Sequence, residues 1–227
     1  MTKLTTEEDT DHAYSVVFSV GRTLSGSFQE PDDYIVEING HISDETEEVG
    51  RMTGYIIQVG RALEERQNLF EACDAHSQTV EDYYEALFDF DTGEVKESIQ
   101  EQLDSFQIGE ILILDRIEVL PAHRKRGLGL AVACSFIDTF GGNTHGLAVG
   151  LPHPLQFSAE GKESEWSKMM QFENLPTDEK LATKKLEDYW AKLGMKCLKG
   201  IDIRGSKVYA LSLDQRRPTM AQLATDL

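Results

Sequence analysis

The chain predicts an α/β fold in which a mixed sheet is covered by helices. Three observations carry that expectation. "EILILDRIEVL" (110–120) is apolar on both faces in its first half, as a central strand buried from two sides must be. "GLGLAVACSFIDTF" (127–140) is apolar almost all round, the mark of a buried helix. "HGLAVGL" (145–151) is a second short apolar run, and strand–helix–strand makes a parallel βαβ unit.

The remaining elements follow in order, within a single domain spanning 1–227. Residues 1–13 are polar and predict a frayed terminus. "YSVVFSV" (14–20) and "YIVEI" (34–38) are rich in β-branched and aromatic residues and predict strands. Between them "GSFQEPDD" suits a loop. "INGHISDETEEVG" predicts a hairpin connection into a third strand near "RMTGYIIQVG" (51–60). From 62 to 105 the pattern turns helical, and "DTGE" (91–94) breaks it, so two or three short helices are expected. The core strand–loop–helix–strand occupies 106–151. Residues 152–177 have no clean period and predict an irregular insertion or lid. "DEKLATKKLEDYWAKLG" (178–194) reads as an amphipathic helix with Gly194 as its C-terminal stop. "MKCLKG" and "KVYALSL" (207–213) complete the segment 178–213 as two strands around a turn near "IRGS", and the tail from Gln215 is expected to be peripheral.

Composition excludes several classes. Forty acidic residues stand against twenty-two basic ones, a net charge of −18. Phosphate backbones are repelled by that field, so no nucleic-acid partner is expected, while a cationic partner or substrate is favoured. No apolar run approaches the ~20 residues that span a bilayer, and the first residues lack a signal peptide's apolar core, so no membrane association and a cytoplasmic location are expected. Cys73, Cys134 and Cys197 are odd in number and far apart, with no metal-ligand spacing, and no metal is expected.

One stretch carries chemistry. In "DRIEVLPAHRKRGLGL", a long strand leads through Arg124, Lys125 and Arg126 to Gly127-Leu128-Gly129 and then a helix. The first turn of a helix offers unpaired backbone N–H groups and a partial positive charge, and glycines let the chain close on phosphate oxygens. No Lys-Ser/Thr pair follows, so this is no P-loop, and the third glycine of the dinucleotide fingerprint is missing. An exposed basic turn would explain these residues alone equally well.

With its flanks, the stretch resembles the acyl-CoA loop of the GNAT acetyltransferase superfamily, Arg/Gln-x-x-Gly-x-Gly/Ala preceded by Val-x-Pro. Here Val119-Leu120-Pro121 precedes Arg124-Lys125-Arg126-Gly127-Leu128-Gly129. "DYWAKLGM" (188–195) looks like the family's late helix, and "HGLAVGL" stands where its fifth strand belongs. The resemblance covers 110–151 and 178–213. It implies a mixed, strongly twisted sheet with helices on both faces and a central parallel pair that splays to admit acetyl-CoA as co-substrate. The pyrophosphate would lie on the amides of Arg126 to Gly129, with Leu128 among them. Side chains of Arg124, Lys125 and Arg126 would meet CoA phosphates, and the pantetheine arm would pair with the strand near Glu118, Val119 and Leu120.

The sequence also departs from the family pattern. The family's thiolate-protonating tyrosine falls at Trp190, and Tyr189 sits ~100° away around the helix. Trp190 is expected to pack against the cofactor, although an indole has no useful acidity. Thr183 stands where the family often has an asparagine that binds the pantetheine arm. Helices fall between the third and fourth strands rather than after the first.

Tyr189 is the candidate acid and Glu118 the candidate base. Asp115 is a second carboxylate, and its three-residue separation from Glu118 places the two on opposite faces of a regular strand. His123, His145 and His153 lie in or beside loops, and "LPHPLQF" is expected to line the acceptor pocket. The activity implied is acetyl transfer from acetyl-CoA to a primary amine of a small molecule or protein, with a cationic acceptor favoured. A non-catalytic acyl-CoA-binding module and a toxin-type enzyme acting on aminoacyl-tRNA are the alternatives. Acceptor and oligomeric state, a homodimer included, are left open.

Overall fold

The long strand expected at 110–120 is the middle of the sheet. In the computed structural model, which describes residues 13–21, 31–105, 109–142, 145–157, 164–215 and 218, β4 spans Glu110–Val119. Before it run β1 (Ser15–Val20), β2 (Ile35–Ser43) and β3 (Glu48–Ile57), and after it β5 (Gly146–Gly150), β6 (Lys196–Ile203) and β7 (Ser206–Ser212). The seven strands lie in the order β1-β2-β3-β4-β5-β7-β6. Every neighbouring pair is antiparallel except β4 and β5, which are parallel, as the βαβ reading requires.

Helices cover both faces. Four of them, α1 (Val59–Glu64), α2 (Leu69–His76), α3 (Gln78–Leu87) and α4 (Glu97–Leu103), fall between β3 and β4, where two or three were expected. Their Tyr83, Leu87 and Ile99 pack with Ile111, Ile113, Leu147 and Val149 of the central strands. On the other face α5 (Leu128–Gly141) and α7 (Glu179–Lys192) bring Phe136, Ile137 and Trp190 onto Leu112, Leu114 and Ala148. Alternate residues of β4 thus serve two cores, which explains its doubly apolar first half.

β2 is longer than expected. It continues through Asn39-Gly40 to Ser43, with Gly40 paired to Phe18 and Met52 on its two neighbours. The turn comes later, where the Asp44 carboxylate accepts hydrogen bonds from the amides of Thr46 (2.7 Å) and Glu47 (3.0 Å). The closing hairpin turns at Arg204-Gly205, both at positive φ (50° and 80°), as a two-residue turn matched to strand twist demands. Gly141-Gly142 ends α5 without the left-handed cap, since Gly142 keeps φ −66°. The described residues of 152–177 are irregular apart from α6 (Glu165–Met169) and two single-turn 3-10 stretches. The frayed terminus, the loop at 26–30 and the tail past Gln215 lie outside the described residues, save Ala13 and Pro218. No helix among the described residues is long and apolar enough to cross a membrane.

Candidate functional site

β4 and β5 begin as neighbours and then part. Pairing runs from Glu110↔Gly146 to Leu114↔Gly150 and stops there, while β4 continues to Val119 on β3 alone. Two local features end the pairing. Thr53 faces Arg116 and Gly54 faces Leu114, so Asp115 is an extra residue, a β-bulge of the kind that bends a strand and interrupts its ladder. Just past the last pair, the backbone amide of Leu151 hydrogen-bonds the buried hydroxyl of Tyr83 on α3.

The bulge also resets the alternation of side chains. Leu112 and Leu114 face α5 and α7, and beyond Asp115 so do Ile117 and Val119. Glu118 therefore turns to the α1–α4 face, opposite Arg51 of β3. Asp115 is on that face too, since its charge acts on Tyr83. The expectation that Asp115 and Glu118 take opposite faces is overturned by this one inserted residue.

The first turn of α5 lies beside the part of β4 that β5 no longer pairs, where a Cβ on Gly129 would come 3.8 Å from Ile117 Cγ2. Gly127 precedes the helix at φ 69°, a left-handed conformation suited to glycine, and Lys125 also has a positive φ of 63°. The first helical bond runs from the Ala131 amide to the Gly127 carbonyl, and Gly127 supplies no side-chain cap to the first-turn amides. Gly129 has a different reason to be glycine. A Cβ there would lie 2.3 Å from the Tyr189 hydroxyl, which packs onto the first turn of α5. Burial raises the Tyr189 phenol above its ordinary range, and a hydrogen bond from the Leu130 amide pulls it back only partly.

Sheet order, a single central parallel pair parting at a bulge, and a helix N-terminus at the opening occur together. This is the GNAT fold. No protein-family model, curated protein or solved structure matches the chain, so the assignment stands on topology. In general terms, a GNAT fold is that of acyl-CoA-binding acyltransferases.

The three basic residues behave differently within this GNAT loop. Arg124 is half-buried, and its guanidinium donates to the carbonyls of Val119 (2.8 Å) and Met170. Desolvation lowers its pKa. It ties the end of β4 to the segment after α6. Lys125 and Arg126 are exposed, and Arg126 donates to the Tyr14 hydroxyl at 3.1 Å. Leu128 is buried, and Leu120 is buried with its amide on the Val49 carbonyl.

At the apex of the GNAT gap sits Trp190. It is 8 % exposed, and its indole N–H has no hydrogen-bond partner among the described residues. Its Cζ2, next to the ring carbon that carries Nε1, lies 3.7 Å from where a Gly150 Cβ would be. Gly150 forms the last β4–β5 pair, so the benzo ring of the indole packs beside the residue at which the strands part.

On the opposite face Glu118 accepts a hydrogen bond from Trp166 Nε1 of α6 (3.2 Å). The Arg51 guanidinium stacks 4.0 Å over the Trp166 ring and is held by both carboxylate oxygens of Glu48 (3.0 and 2.8 Å). Tyr83, Trp166 and Arg51 are site residues that sequence reasoning missed. Trp166 alone offered a signal, as one of only two tryptophans. Gln156 and Phe157 of "LPHPLQF" line an open cavity of ≈ 430 Å³ with Phe172, Leu175 and Pro176.

His145 and His123 are engaged by other side chains. His145 pairs with Asp214 (2.6 Å). His123 stands 3.1 Å from the Tyr14 hydroxyl. Its ligand atoms also come within 4.8 Å of those of Asp44 and Glu47, a grouping across two turns that no sequence spacing could announce. The Asp44 carboxylate is already engaged by the amides of its own turn, which hold its pKa down.

Proposed function

We propose that this chain is an N-acetyltransferase that moves an acetyl group from acetyl-CoA to a primary amine. The observation that carries the reading is the parting of β4 and β5 directly before the uncapped N-terminus of α5. A gap beside unpaired strand backbone suits the amide-bearing pantetheine arm, and the helix terminus suits the pyrophosphate. In this reading the amides of Leu128 and Gly129 hold phosphate, Lys125 and Arg126 add charge, and Val119 and Leu120 flank the arm. Arg124 contributes by shaping the loop through its two carbonyl contacts.

The amine nitrogen attacks the thioester carbon directly. The C–N bond forms, the C–S bond breaks, its electron pair goes to sulfur, and the amine's proton passes to a base. Glu118 is the proposed base, because it follows the bulge on the face away from α5 and its carboxylate is held by Trp166. Tyr189 is assigned a positioning role on α5, since its hydroxyl is engaged there. A net charge of −18 favours a cationic acceptor, a polyamine or a lysine-bearing peptide.

The test is a thiol-release assay with acetyl-CoA across a panel of cationic amines, monitored by mass spectrometry of the acetylated product. Amine-dependent release with a matching +acetyl product is expected. A second reading, an acyl-CoA-binding module without turnover, is favoured by the engaged Tyr189 hydroxyl and by tryptophan at position 190. Tight acetyl-CoA binding without release for any amine, polyamines and lysine peptides included, would replace the enzyme reading with this one.

A further inference from the structure

We propose that Glu48 is a positioning residue that keeps the Arg51 guanidinium off Glu118, so that the proposed base stays free of an ion pair. The inference rests on the transferase reading above and on Glu118 as its base. Arg51 and Glu118 face each other across β3 and β4, a placement in which opposite charges ordinarily pair. Their fields do meet. The Glu48 hydrogen bonds raise the Arg51 pKa most, and the Glu118 charge adds to them. The guanidinium is nonetheless committed to Glu48, with Nε 3.0 Å from Oε1 and Nη2 2.8 Å from Oε2. Its flat face lies 4.0 Å over the Trp166 ring. Glu48 is held in turn by His41 Nδ1 at 2.8 Å, and His41 is paired with Arg51 in the β2–β3 register. Glu118 bonds instead to the neutral indole of Trp166, and among the described residues it forms no ion pair.

The arrangement has a chemical consequence. A guanidinium in contact with a carboxylate favours its ionised form and makes it a poorer proton acceptor. An indole N–H orients the carboxylate through Oε2 without adding charge, which leaves Oε1 to accept the amine's proton. The charges of Glu48 and Arg51 cancel locally, and Glu118 keeps its own. The stacked guanidinium also fixes the ring whose N–H orients the base. Four side chains from β3, β4 and α6 thus hold one carboxylate in place.

The experiment uses two variants. Glu48→Gln removes the charge that holds Arg51. Glu48→Gln/Arg51→Met removes the rival cation as well, while an unbranched side chain still covers the Trp166 ring. Turnover is followed by thiol release at saturating acetyl-CoA with the best amine of the panel. In 15N-labelled protein the Trp166 indole resonance, assigned by its loss in Trp166→Phe, reports on the bond to Glu118. In Glu48→Gln the guanidinium pairs with Glu118, so kcat falls about tenfold. KM for acetyl-CoA is unchanged, and the indole proton moves upfield as its bond loosens. The double variant recovers most of the lost turnover and the wild-type indole shift, whereas a merely structural Glu48 would leave it no better than the single. Full turnover in Glu48→Gln, or a double variant as slow as the single, overturns the proposal. Full turnover in Glu118→Gln overturns the base assignment instead. Wild-type protein inactive on every amine overturns the transferase reading, and the indole shifts then decide whether Glu48 keeps Arg51 off Glu118.

Discussion

The hydroxyl of Tyr189 occupies the space that a side chain at Gly129 would need, 2.3 Å from an ideal Cβ. The relationship joins α7 to the first turn of α5 and holds the basic loop and the late helix as one unit. It gives the second glycine of the loop a packing role beside any role toward phosphate. Gly129→Ala should therefore destabilise the fold by about 1–3 kcal/mol, the cost of overpacking. In Gly129→Ala/Tyr189→Phe the nearest ring atom is 3.4 Å away, an ordinary contact, so the double variant should lose less than the sum of the singles. Denaturant unfolding of all four proteins measures the coupling, and strict additivity would remove the contact from the account.

Arg124 and its two basic neighbours should separate cleanly. Arg124→Lys cannot bridge the Val119 and Met170 carbonyls with a planar fork, so about 1–2 kcal/mol of stability is lost. Protease cleavage within 164–177 should quicken. Lys125→Gln and Arg126→Gln should leave stability unchanged, weaken CoA binding and flatten its salt dependence. Limited proteolysis and calorimetry at two salt concentrations check both halves. Identical behaviour of all three variants would contradict the division of labour.

Glu118→Gln preserves an oxygen acceptor for Trp166 Nε1 and should keep thermal stability and acetyl-CoA affinity. Turnover should fall by about 10²–10⁴, the usual contribution of a positioned base. Thiol release with saturating acetyl-CoA measures it, and unchanged turnover would move the base elsewhere.

Glu110, at the start of β4, predicts a pH effect remote from the cleft. Its Oε2 is buried without a hydrogen-bond partner among the described residues, and desolvation raises its pKa to about 7. The folded state then holds a proton that the unfolded state releases near pH 4.5. Stability is full below that pH, falls as pH rises toward 7, and levels off above it. Solvent screening of this part-exposed group limits the loss to about 1–2 kcal/mol. Glu110→Gln should abolish that slope in urea unfolding between pH 5 and 8. An unchanged slope would assign it to other groups.

Much of this architecture was legible because burial leaves periodic traces. The first half of β4 faces two cores, and its Ile111-Leu112-Ile113-Leu114 run shows it. α5 and α7 were equally visible from their apolar faces. Asn39-Gly40 misled, because a dipeptide common in turns sits here in mid-strand. The Asp115 bulge has no compositional signature, yet it decides which face Glu118 takes. The Arg124 clamp was unreadable for a similar reason, since its partners are backbone carbonyls that any residue carries. The loop was legible from its glycines, but the orphaned indole of Trp190 became visible only once its surroundings were assembled.

The central claim is that the gap between β4 and β5 receives an acyl-CoA, and isothermal titration of the full chain with acetyl-CoA tests it most directly. The account predicts one site per chain, an affinity in the micromolar range typical of enzyme substrates, and weaker binding at higher salt. The absence of any binding heat at millimolar acetyl-CoA, confirmed at a second temperature, would contradict it.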